Sequence, residues 1–143
     1  MSVTGLDVFD RMLQKTNDWL DELMQVLAWS DRHETYLALR ATLHALRDRL
    51  TVEEVAQLGA QLPMLIRGFY YEGWDPTGKP LRLRRPEGFL ALIAQEFPRD
   101  LDDYEPLARA VFAVLARRVS EGEIEDVKQV LPEGIREFWP AAA

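Results

Sequence analysis

Lys79, Arg82, Arg84 and Arg85 put four positive charges into seven residues, with no acidic residue among them. A guanidinium is a planar fork of donors that matches carboxylate and phosphate oxygens, so this run could hold an anion: a phosphate, a nucleic-acid backbone or an acidic protein surface. Leu81 and Leu83 alternate with Arg82 and Arg84. Because successive side chains of an extended chain point to opposite sides, a short extended segment would set the arginines on one side and the leucines on the other. The plainer alternative is a solvated connector whose charges pair with the chain's own acids.

Upstream, Phe69, Tyr70, Tyr71 and Trp74 gather four aromatic rings within six residues. Rings at a junction can line a ligand pocket, with Tyr70, Tyr71, Trp74 and Arg47 supplying polar contacts beside apolar ones. Phe138 and Trp139 occupy corresponding places later in the chain, which favours the other reading, an aromatic lock between helices. Arg47 and Arg49, with Arg118 further on, could likewise recognise an anion, but basic residues in a last helical turn also complement the negative end of the helix dipole.

His33 and His44 lie eleven residues apart on one expected helix, or ~16 Å at 1.5 Å per residue, too far to share a metal ion within that helix. His33 reads as first-turn surface and His44 as a helix-face residue among apolar neighbours. Asp102-Asp103 and Glu125-Asp126 could do acid–base chemistry only if buried, and both sit at expected helix starts, where capping accounts for them. The sequence has no glycine-rich phosphate loop, no nucleophile elbow and no zinc-binding His-Glu motif. The absence of cysteine excludes disulfides, thiolate metal sites and cysteine nucleophiles. The balance favours a non-enzyme that needs no cofactor and no metal.

The elements that must position these residues read as helices throughout. Leu6, Phe9, Leu13, Leu20, Leu23 and Leu27 recur at helical spacings and form one face of a first helix over residues 6–27, ending near Trp29. Asp31 and Glu34 have capping-box spacing and open a second helix with a stripe of Tyr36, Leu39, Leu43, Leu46 and Leu50. Thr51 and Glu54 repeat that spacing before a short helix carrying Val55, Leu58 and Leu62, and Pro63 suits the first position of another. Gly73, Pro76, Gly78 and Pro80 mark a long loop. Pro86 restarts a helix, Pro106 sits in the first turn of the next, and Ser120 with Glu123 again has capping-box spacing.

The second half replays the first. Thr51, Val55, Leu58, Leu62, Pro63, Ile66 and Phe69 match Ser120, Ile124, Val127, Leu131, Pro132, Ile135 and Phe138 at a single offset of 69 residues (132 minus 63). The offset also pairs Leu43 with Phe112, Arg49 with Arg118 and Tyr70 with Trp139. A unit this small cannot bury its apolar face alone, so two copies are expected to pack together. The expectation is an all-α protein of about eight helices, two pseudo-repeated four-helix units in one compact domain over residues 1–143. The units run over approximately 1–71 and 86–140, joined by the basic Gly/Pro loop 72–85.

Asp31-Arg32, the stretches 36–40 and 43–50, Gln61-Leu62-Pro63, the segment 69–74 and the segment 122–128 resemble a bacterial family, domain of unknown function family 2267. The resemblance spans nearly the whole chain. It implies an all-helical protein of bacterial type, with no catalytic residue, cofactor or substrate to carry over.

Seventeen basic against 24 acidic residues give a formal charge of −7, which repels polyanions as a whole and disfavours general nucleic-acid binding. No signal peptide and no run of ~20 apolar residues is visible, so a cytoplasmic protein without membrane contact is expected. The leading expectation is a non-enzymatic binding or protein-interaction module that engages an anionic partner through the central loop. The alternative is a small-molecule binder or enzyme with a pocket at the aromatic junction between the repeats. The third is a nucleic-acid module built on residues 51–70, whose second helix offers only Arg67 as a basic group. The same apolar stripes would serve an internal core or a homo-oligomer interface.

Overall fold

A computed structural model describes residues 1–141. Among them the chain forms eight helices and no strand: α1 (Asp7–Leu27), α2 (Arg32–Arg49), α3 (Val52–Gln61), α4 (Met64–Tyr71), α5 (Pro86–Glu96), α6 (Glu105–Arg118), α7 (Glu121–Val130) and α8 (Glu133–Arg136). Three helix starts follow directly from side-chain chemistry. Asp31 accepts the amide of Glu34, Thr51 that of Glu54, and Ser120 that of Glu123, each satisfying a donor that the first helical turn leaves free.

Pro63 sits one place earlier than the expected first helical position, and Pro132 holds the same place before α8. Both are extended N-cap residues, with φ −59° and ψ 153° and 152° respectively. Their carbonyls accept the amides of Arg67 and Arg136, which starts each helix without needing the amide that proline lacks. α8 is a single turn, so Phe138 and Trp139 follow that helix and do not lie on it.

α2 lies at the centre, against α1, α4, α5 and α6. The pairings α1 with α6, α2 with α5 and α3 with α7 each join a helix before the central loop to one after it. One apolar cluster therefore runs through both halves, from Leu39, Leu43 and Leu46 to Phe89, Phe112 and Ile135. Each such side chain contributes about 1.5–3 kcal/mol when fully buried.

α1 departs from its expected role at its N-terminal end. Trp19, Leu20 and Leu23 are buried, but Leu6, Phe9 and Leu13 remain 47%, 50% and 39% exposed. The apolar periodicity continues past the point where the neighbouring helices cover it. The helix stops at Leu27 because Ala28 turns left-handed at φ 57°, with the amides of Ala28 and Trp29 closing on the carbonyls of Gln25 and Met24. A Cβ in that conformation costs roughly 1 kcal/mol that glycine avoids. Ala28→Gly is expected to raise the urea midpoint by the equivalent of about 0.5–1 kcal/mol without changing the slope.

Candidate functional site

The basic segment is held from beneath. The Leu81 amide donates to the Asp48 carbonyl at 2.8 Å, and Arg49 Nε donates to the Leu83 carbonyl at 2.6 Å, so the end of α2 fastens two points of an otherwise irregular stretch. Leu83 presses on α5 where Gly88 leaves room, since a Cβ at Gly88 would lie 2.6 Å from Leu83 Cδ1. Arg82, Arg84 and Arg85 are exposed, while Leu81 and Leu83 are half-buried. The four basic residues do not share one environment. Lys79 is half-buried with its ammonium 5.9 Å from the Trp74 ring centre, and only the three arginines face solvent freely.

The chain's other arginines have internal partners. Arg117 and Arg118 grip Glu22 of α1 at 2.9 and 2.6 Å. Burial works to raise the Glu22 pKa, but those two charged hydrogen bonds outweigh it and hold the carboxyl below its usual range. Arg40 reaches Glu72, Arg99 reaches Glu34, and Arg136 donates to the Leu131 carbonyl. Among the described residues, Arg82, Arg84 and Arg85 alone of the arginines make no internal hydrogen bond or ion pair. Arg49, just below, is pushed under its ordinary pKa by burial and then by the positive charge of Arg84.

Arg47 is 4% exposed and donates from Nε to Asp48 Oδ1 at 2.8 Å and from Nη1 to the carbonyls of Tyr70 and Glu72 at 2.7 and 2.9 Å. Its guanidinium lies 5.3 Å from the Trp74 ring centre. The Tyr70 hydroxyl donates to the Val55 carbonyl from a fully buried ring, and burial raises its pKa far beyond the ordinary value. Tyr71 lies against Gly59. Arg47, Tyr70, Tyr71 and Trp74 thus meet at the C-terminal end of α4, where Arg47 Nη1 and the two tyrosine hydroxyls donate to backbone carbonyls and the Trp74 ring packs beside the Arg47 guanidinium.

His33 is exposed beside Tyr36. His44 is buried between Glu96 of α5, 2.8 Å from Nδ1, and the Phe69 carbonyl of α4, 2.6 Å from Nε2. Both partners offer acceptor oxygens, one from each side of the ring. Asp48, Gln95, Glu96 and His44 border a groove of about 340 Å³ between α2 and α5.

A second cluster lies where α3 meets α7. Glu54 and Glu123 are 6% and 7% exposed, and with Asp126 they offer three carboxylate oxygens within 4.8 Å of one another. A capping-box glutamate ordinarily turns back to its cap amide. Neither does so among the described bonds, and the Ser120 amide donates instead to Gln61 Oε1 at 3.0 Å. Glu54 Oε1 and Glu123 Oε2 are buried without a hydrogen-bond partner. Burial, then the hydrogen bond and charge of Glu54, then the charge of Asp126 push Glu123 up to about 8.

Glu54 from α3, Asp126 from α7 and the neutral Tyr70 hydroxyl from α4 face Glu123, and the folded protein holds a proton that the unfolded chain releases near 4.5. Stability from this group is complete below that value and is lost as pH rises through about 8. In chelator, Glu123→Gln is expected to match the parent Tm at pH 4 and exceed it at pH 9. A constant difference across that range would contradict this assignment.

These observations define an all-α protein with a fastened basic segment and a buried acidic cluster. The family model described as an uncharacterized conserved protein (DUF2267) matches residues 16–138. The chain belongs to that family. No curated protein matches it.

The alternation at 81–84 pointed to the basic segment. Capping-box spacing accounts for Glu54 and Glu123 in the sequence, and the signal there that sets them apart is their own spacing of 69 residues (123 minus 54).

Proposed function

We propose that the protein is a non-enzymatic interaction module, of cytoplasmic and bacterial type, that engages an acidic partner protein through Arg82, Arg84 and Arg85. The observation that carries this reading is the unpaired state of these three arginines in a chain of net charge −7 whose other arginines have internal partners. Surplus acid is available to neutralise them, yet the segment is fastened with its guanidiniums outward. Backbone ties at Leu81 and Leu83 lower the ordering cost of binding, which is how a pre-formed segment gains affinity.

Nucleic acid is the weaker partner class. Arg67, the basic residue of α4, donates to the carbonyls of Gly59, Ala60 and Leu62 and is committed within the fold. A small-molecule reading would move from the aromatic junction to the groove beside His44, which has Asp48 and Glu96 at its rim and is lined by none of Arg47, Tyr70, Tyr71 and Trp74.

Arg82→Gln/Arg84→Gln/Arg85→Gln tests the proposal. Because none of the three makes an internal bond, stability is expected to stay within about 0.5 kcal/mol per substitution. Capture of acidic proteins from host lysate is expected to fall at least tenfold, and the parent's capture to weaken as salt rises from about 0.05 to 0.5 M. Unchanged capture by the folded variant would sink the proposal. A parent that prefers RNA to protein would replace the partner class.

A further inference from the structure

We infer that Glu54, Glu123 and Asp126 form a binding site for one hard divalent cation at the meeting of α3 and α7. The site is independent of the basic segment, and three observations converge on it.

The first is geometric. Oxygen atoms bound to one calcium-class ion at ~2.4 Å lie up to ~4.8 Å apart when they face each other across it. One oxygen from each of the three carboxylates falls within 4.8 Å of the other two. All three donors are carboxylates, which suit calcium, magnesium or manganese and not the softer metals that favour sulfur.

The second observation is the orphaned oxygens. Glu54 Oε1 and Glu123 Oε2 belong to side chains more than nine-tenths buried and have no partner. Burying such groups unsatisfied costs about 1–3 kcal/mol each, and more when charged. The normal outlet for a glutamate three residues past its cap is the cap amide, and both side chains forgo it to face each other. Among the described residues no lysine or arginine pairs with Glu54, Glu123 or Asp126. The nearest basic residue along α7, Lys128, pairs with Glu125.

The third is charge balance. Glu54 and Glu123 lie in the first turns of α3 and α7, each of ten residues. Two helix N-termini supply roughly +0.5 each, leaving about −2 from three ionised carboxylates, the charge a divalent ion neutralises. Asp126 is exposed, so the ion has an entry path and room for water to complete its shell.

Manganese and calcium salts are the probes. With the chelator-treated 143-residue chain at pH 8.5, titration of Mn²⁺ followed by electron paramagnetic resonance is expected to show one saturable site with Kd on the order of 10⁻⁵ to 10⁻³ M, and Ca²⁺ to compete for it. Glu123→Gln and Glu54→Gln are each expected to weaken binding at least tenfold, and Asp126→Asn severalfold. Glu125→Gln, on the same helix but outside the cluster, is expected to leave it unchanged. If Glu123→Gln does not fold, Asp126→Asn on its exposed side chain carries the test.

No saturable binding of either ion up to about 10 mM, or equal weakening by Glu125→Gln and the cluster variants, would overturn the site. The first result would leave the two glutamates as a proton-sharing pair; the second would leave only diffuse attraction to an acidic surface. Neither result touches the arginine proposal, whose variant lies on the central segment.

Discussion

Arg47→Ala is expected to cost about 3–5 kcal/mol of stability and to lower Tm by on the order of 10 °C, the largest effect of any polar substitution in the chain. Arg47 is almost wholly buried and its donors reach Asp48, the Tyr70 carbonyl and the Glu72 carbonyl. Truncation leaves two carbonyls at the end of α4 without their donor and removes the cation over Trp74. Asp48 is partly exposed and can rehydrate, so the carbonyls and the lost packing dominate the cost.

Arg47→Lys separates charge from geometry. An ammonium retains the charge but cannot lay a planar fork across Asp48 and two carbonyls while stacking on an indole, so it is expected to recover less than half of the loss. Arg47 secures the end of α4 as Arg49 secures Leu83, and the loop from 72 to 83, with Lys79 and Arg82, runs between these two anchors. Hydrogen exchange over residues 72–85 should therefore quicken in Arg47→Ala ahead of global unfolding. A loss below about 1 kcal/mol with exchange unchanged would show that Arg47 does not anchor the segment.

Legibility in the sequence follows the range of the physics. The caps at Asp31, Thr51 and Ser120 are local, each joining residues three apart, and they lie where the spacing places them. The outward arginines and inward leucines of 81–84 follow from alternation alone. His44 with Glu96 spans 52 residues, and Arg47 bonds carbonyls, which leave no mark in a side-chain pattern. The meeting of Glu54 and Glu123 depends on how two short helices approach, and capping-box spacing accounts for both residues locally. α1 shows a further limit, since periodicity reveals which face is apolar and not how far a neighbour covers it.

The apolar counterpart to Arg47 is Phe112. Phe112→Ala is expected to cost about 3–5 kcal/mol, read as a lower urea midpoint at constant slope. Its ring is fully buried and stacks on Trp139 at 4.3 Å and 23°, with Phe89 and Phe138 edge-on at 5.8 and 6.4 Å. Deleting it removes the shared neighbour of three rings drawn from α5 and from the segment after α8. Phe112→Leu keeps most of the volume and is expected to cost less than half as much. Because Phe112 and Phe138 touch, the double variant Phe112→Leu/Phe138→Leu should depart from the sum of the single losses by about 0.5 kcal/mol or more. Additive losses would mean that the rings fill space separately; coupled losses would identify this cluster as the lock that closes the C-terminal segment onto α6.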